Sequence, residues 1–178
     1  MKRICGLVLV LLLGSCATRP SVPPSPPRDD RQAQTSLPVP EQIPPSPANY
    51  VARAGSYDQL VVRASALLAE SGGDPATLRL AAMLAEDHRG LAAQLSFAGR
   101  RLDLLPSATL VSPHDGWFSS FETAADRPAA FRQLMRRVHQ NSYAMHAAMA
   151  RSGSSPTLRA VAVNAVSAER RHWAELNR

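Results

Sequence analysis

Five histidines stand in a chain of 178 residues, and four of them, His88, His139, His146 and His172, fall on stretches of helical period. Imidazole ligates first-row transition metals and titrates near neutral pH, so such residues can hold an ion or move a proton. Glu169 lies three residues before His172, and residues at that spacing share a helix face. His88, His139, Glu169 and His172 are therefore the candidate ligands for a single zinc, copper or iron ion. A dinuclear carboxylate centre fits poorly. It needs a glutamate from each of two helices and a Glu-x-x-His from each of two others, all facing inward. Only Glu169-x-x-His172 meets that pattern: Ala85 stands three residues before His88, Glu86 falls on another face, and the first helix offers Val61 in place of a carboxylate. The competing reading needs no cofactor. A histidine on an apolar face is most often a core residue bonded to a neighbour, and on that reading the protein is a non-enzymatic binding module with no catalytic residue.

Other chemistry lacks its parts. Ser152-Gly153-Ser154 is a turn with no strand before it, unlike a nucleophile elbow. No glycine loop suited to phosphate is present. Met135, Met145 and Met149 at helical spacing read as core filler, and His114-Asp115 reads as a turn. Aromatic residues make up 5% of the chain, too few for stacking platforms that would grip single-stranded nucleic acid.

Four helices must position the histidines. The first runs over about residues 50–70, with Ala54, Tyr57, Leu60, Val61, Ala64, Leu67 and Leu68 on one face, and ends at Ser71-Gly72-Gly73. Asp74 with Pro75 opens the second, whose stripe is Leu80, Leu84, His88, Leu91 and Leu95, with Gly99 as the expected stop. Residues 99–126 form a long connection with a short helix expected near 117–123. Asp126 with Pro128 opens the third helix, carrying Phe131, Met135, Val138, Ser142, Met145 and Met149. Ser155 with Pro156 opens the fourth, carrying Leu158, Val161, Ala165, Ala168, His172 and Leu176. The halves echo each other, since Asp74-Pro75 with Thr77-Leu78-Arg79 parallels Ser155-Pro156-Thr157-Leu158-Arg159. The expected fold is all-α: a four-helix bundle of ferritin-like connectivity, two helical hairpins joined by a long crossover, over residues 50–178.

The N-terminus has another character. Met1-Lys2-Arg3 precedes an apolar run from Ile4 to Leu13, too short to span a bilayer but suited to an export signal. Leu13-Gly14-Ser15-Cys16 resembles the lipobox of bacterial lipoproteins, which implies cleavage after residue 15 and a diacylglycerol on Cys16. Residues 16–49 then form a tether that holds ten of the fifteen prolines, a composition favouring extended backbone over a packed core. Cys5 leaves with the signal, so stability rests on the helical core rather than on disulfides. The formal charge of +6 falls to +4 once Lys2 and Arg3 are removed. The remaining cations are arginines, in pairs such as Arg100-Arg101, Arg136-Arg137 and Arg170-Arg171, whose forks suit phosphates and carboxylates.

With these residues in view, the helical part resembles a ferritin-like bacterial envelope family labelled as outer membrane proteins and of unknown function. The resemblance is carried by Asp74-Pro75 followed by Leu84-Ala85-Glu86-Asp87-His88, by His139 sixteen positions before Ser155, and by His172 near the end of the last helix. One departure is Val61, where the family commonly has glutamate. The resemblance implies the bundle fold and an envelope location, and no activity. Ala17 after the lipidated cysteine favours the outer membrane, with the domain facing the periplasm. The expected partners are the membrane, through the anchor, and peptidoglycan or an envelope protein, with no nucleic acid. The leading expectation is a lipid-anchored binding or envelope-stress module; the alternative is a ferritin-like protein that binds metal through its core histidines.

Overall fold

The computed structural model describes residues 43–178. The signal segment, Cys16 and the tether as far as residue 42 lie outside the described residues. Five helices follow in order: α1 Pro47–Ser71, α2 Pro75–Arg100, α3 His114–Glu122, α4 Arg127–Ser152 and α5 Pro156–Leu176, with no strand among the described residues.

Each long helix opens on the same device. A cap side chain accepts a backbone N–H of the first turn: Ser46 from Asn49, Asp74 from Thr77, Asp126 from Ala129 and Ser155 from Leu158. A proline follows within two residues, where its missing N–H costs nothing. Helix α1 therefore opens at Pro47, three residues before Tyr50, because Ser46-Pro47 carries the start signal that composition assigned to the tether. It ends at Gly72, whose φ of 80° lies in the region that glycine tolerates. Helix α2 runs through Gly99 to Arg100, so Gly99 does not stop it. That glycine serves a close approach instead, since a Cβ there would collide with the carbonyl oxygen of Leu104.

Helix α1 packs against α2 and α4, α5 packs against α4 and α2, and α3 bridges α1 and α4. The crossover fixes the directions. Gln59 donates to the Ser107 carbonyl, the Val111 N–H donates to Ser56 Oγ at 2.9 Å, Arg63 lies over the Phe118 ring at 5.1 Å, and Arg127 reaches Ser71. The connection thus climbs along α1 and delivers α4 to the end where α1 stops and α2 starts. Every adjacent pair of long helices is consequently antiparallel.

Side chains fill the interior in layers. Leu68, Leu84, Phe131 and Met135 pack at one end, and Leu95, Met149 and Leu158 at the other, each at most 2% exposed. Between them lies a polar layer: Asp58, His88, His139, Ser142, His146, Glu169 and His172, also buried.

Candidate metal centre

Three helices aim imidazoles at one point in that layer. His88 comes from α2, His139 from α4 and His172 from α5, each 0% exposed. His139 Nε2 lies 3.4 Å from His88 Nε2 and 3.2 Å from His172 Nδ1, and the three nitrogens all fall within 4.8 Å of one another. A tetrahedral ion with metal–nitrogen bonds of about 2.0–2.1 Å needs ligand atoms about 3.3–3.4 Å apart, which the two shorter separations approach.

The outer contacts say where the ring hydrogens sit. His139 Nδ1 is 2.7 Å from the Met135 carbonyl oxygen, which can only accept, so that nitrogen donates and Nε2 carries a bare lone pair. His172 Nε2 donates to Asp87 Oδ2 at 2.8 Å, which bares Nδ1. These two bare nitrogens face each other with no hydrogen between them. His88 Nδ1 meets Asp58 Oδ1 at 2.8 Å. With Asp58 ionised, as a bound cation would favour, His88 donates to it and turns a third lone pair inward. With Asp58 protonated, its hydroxyl donates to His88 Nδ1 and His88 Nε2 donates towards His139 Nε2 at 3.4 Å. Such carboxylate–histidine pairs fix the tautomer and raise the basicity of a metal ligand.

Glu169 stands beside the trio, itself 0% exposed. Ser142 Oγ donates to its Oε1 at 2.7 Å, while Oε2 has no hydrogen-bond partner and lies 4.0 Å from His139 Nε2. A buried carboxylate oxygen left unpaired costs about 1–3 kcal/mol or more, and a cation in the layer removes that cost. His146 is the neighbour rather than a member of the trio. Its Nε2 is 4.0 Å from Glu169 Oε1, and its Nδ1 bonds the Tyr50 hydroxyl at 2.9 Å.

Burial works against charge throughout the layer. It lowers His88 and His172 to about 4 and His146 to about 3, and puts His139 well below the ordinary 6.5, where the neighbouring imidazoles add to the effect. It pushes Asp58 and Glu169 well above the usual carboxylate range. An imidazolium is therefore a poor way to relieve the facing lone pairs, and a metal cation is a good one.

The structure brings His88, His139 and His172 together and sets Glu169 against them. It corrects the first-helix reading: Val61 is buried, but Asp58, three residues earlier on the same face, supplies the carboxylate. Asp87 is likewise part of the arrangement although sequence reasoning passed over it, whereas Glu86 is exposed. His114-Asp115 is no mere turn. His114 opens α3, is fully buried and bonds Ser56 Oγ at 2.8 Å.

The profile of a family described as "Domain of unknown function (DUF4142)" matches residues 32–178. The chain belongs to that family. The DUF4142 match takes in every residue of the histidine layer and reaches back from α1 into the proline-rich segment. No curated protein and no solved structure matches the chain. Among the described residues, no helix is long and apolar enough to cross a membrane.

Proposed function

We propose that this DUF4142 protein is a lipid-anchored, metal-binding protein of the bacterial envelope, and that its helical domain holds one transition-metal ion between His88, His139, His172 and Glu169. The observation that carries the reading is the approach of His139 Nε2 and His172 Nδ1 to 3.2 Å in a fully buried layer, with the other nitrogen of each ring held by an outward acceptor. Each has its ring hydrogen committed to an outward acceptor, so a cation between them relieves their repulsion. Zinc fits the donor set best, because it takes three nitrogens and a carboxylate oxygen tetrahedrally; the same donors accept copper and iron. With four protein ligands and no exposed edge, the site is a closed one, of the kind that stores or structures rather than catalyses. The domain is then a four-helix bundle of ferritin-like connectivity, a reading supported by its antiparallel neighbours and by the crossover that climbs α1.

The anchor rests on the sequence: the cationic start, the apolar run and Cys16 in order, then a tether that lets the domain stand off the membrane. Ala17 favours the outer membrane, facing the periplasm. Metal analysis and competitive zinc titration of the full chain test the central claim. One ion per chain is expected, with affinity falling at least a hundred-fold in the double variant His88→Ala, His172→Ala while helical circular dichroism persists. A folded wild-type chain that takes up neither zinc, copper nor iron overturns it.

A further inference from the structure

Outside the histidine layer lies a cleft that meets it only at Asp87. It has a volume of about 680 Å3 and runs between α2 and α5, with Arg132 of α4 at its head. Four guanidinium groups line it, from Arg79, Arg132, Arg171 and Arg178, against two carboxylates, Asp87 and Glu175. Both carboxylates are already engaged, Asp87 with His172 at 2.8 Å and Glu175 with Arg178 at 3.1 Å.

Arg178 is paired with Glu175 and Asp74 lies near enough to Arg132 to feel its charge, but the cleft keeps an excess of cations. Among the described residues, neither Arg79 nor Arg132 has a carboxylate within ion-pair distance, and Arg171 reaches Asp87 only at 3.8 Å. A solvated helix face would set acids one turn away; here the residues four before and four after Arg79 are Pro75 and Met83, and those around Arg132 are Pro128 and Arg136. Arg132 is also held in place. Its Nε donates to Oγ1 of the buried Thr77 at 3.1 Å, which leaves its terminal nitrogens to a ligand. Leu80 and Met83 form an apolar floor. Like charges in a concavity with low-dielectric walls concentrate the potential that draws anions, and a guanidinium fork matches an oxyanion with two parallel N–H donors.

We propose that this cleft binds a small soluble molecule bearing two or more oxyanion groups, phosphate or carboxylate, clamped between Arg132 and Arg171. Its volume lies in the range of small-molecule sites. The cleft shares Asp87 with the outer contacts of His172, so its test uses metal-free protein and changes only arginines, and either proposal can fail alone.

The full chain in neutral detergent is titrated calorimetrically with pyrophosphate, with citrate and with dihexanoyl phosphatidylglycerol, at constant ionic strength. Saturable one-to-one binding of pyrophosphate or citrate, tighter than about 1 mM, is expected. The affinity should fall at least tenfold in Arg132→Gln and in Arg171→Gln and stay within twofold in Arg100→Gln, which lies outside the cleft. Circular dichroism of each variant establishes that the helices persist. No saturable heat with either polyanion, an equal loss in Arg100→Gln, or binding of the lipid headgroup alone each overturns the proposal.

Discussion

His114 and His139 are both 0% exposed, and both have Nδ1 in a hydrogen bond. Burial pushes both toward the neutral form. What separates them is the second nitrogen. His114 is packed among aromatic rings, 4.0 Å from Tyr57 and 5.3 Å from Trp117 between centroids, and its Nε2 meets no polar partner. It fastens the crossover to α1 through Ser56. His139 Nε2 instead faces two imidazole nitrogens and lies 4.0 Å from an unpaired carboxylate oxygen. A buried histidine with one satisfied nitrogen is thus ambiguous by itself. Ligand character comes from the convergence of separate helices on its other nitrogen.

The sharpest way to break the contrast is to remove each ring in turn. His139→Leu should weaken zinc binding at least a hundred-fold, about 2.7 kcal/mol or more. His114→Leu should leave the zinc affinity within twofold, even though it loosens the crossover. Chelator competition measures both, and equal weakening would void the distinction. A smaller effect belongs to the outward acceptors. Asp58→Asn and Asp87→Asn keep shape but weaken the grip on His88 and His172, and each should cost roughly ten- to a hundred-fold in metal affinity. Glu169→Met reverses the sign of the stability effect. It removes a buried carboxyl with an orphaned oxygen, so the metal-free chain should gain about 1–3 kcal/mol against urea while binding zinc less tightly. A loss of metal-free stability would mean that Glu169 is satisfied without a cation.

The parts that could be read from sequence are those set by local chemistry. Asp74-Pro75, Asp126-Arg127-Pro128 and Ser155-Pro156 announce helix starts because cap and proline act within one turn. The apolar stripes follow from the helical period, and Phe131, Met135, Val138 and Met149 are all buried as that period requires. Asp58 escaped for a subtler reason. It sits four residues after Ala54 and three before Val61, squarely in the stripe, but a carboxylate beside Tyr57 reads as the stripe's polar edge. The sequence named His88, His139 and His172 as candidate partners, but not that they meet at one height. Periodicity assigns a face, whereas meeting at one height depends on how far each helix slides along its neighbour. Helix α5 stops level with the third turn of α4, where Arg136 donates to the Leu176 carbonyl at 3.1 Å. No cap or turn residue encodes that offset.

The smallest expected effect tests whether His114 belongs on the structural side of the comparison. Its folded pKa is lowered from 6.5 to about 4, by burial first and then by the charge of Arg53, with Asp115 opposing. Between those values the unfolded chain holds more protons than the folded one, so stability rises with pH across the window and is lost as pH falls from 6.5 towards 4. His88, His139, His146 and His172 act in the same direction in the metal-free chain, and these four with His114 outnumber the raised carboxyls Asp58 and Glu169 that act against it. Scanning calorimetry of the metal-free chain across this window should therefore give a melting temperature that falls with acid, and a shallower fall in His114→Gln. The shallower slope should appear with no change in zinc affinity at pH 7, because His114 shares no partner with the layer. An unchanged slope would mean that His114 takes up its proton as readily folded as unfolded, so that its ring is not held neutral against Tyr57 and Trp117.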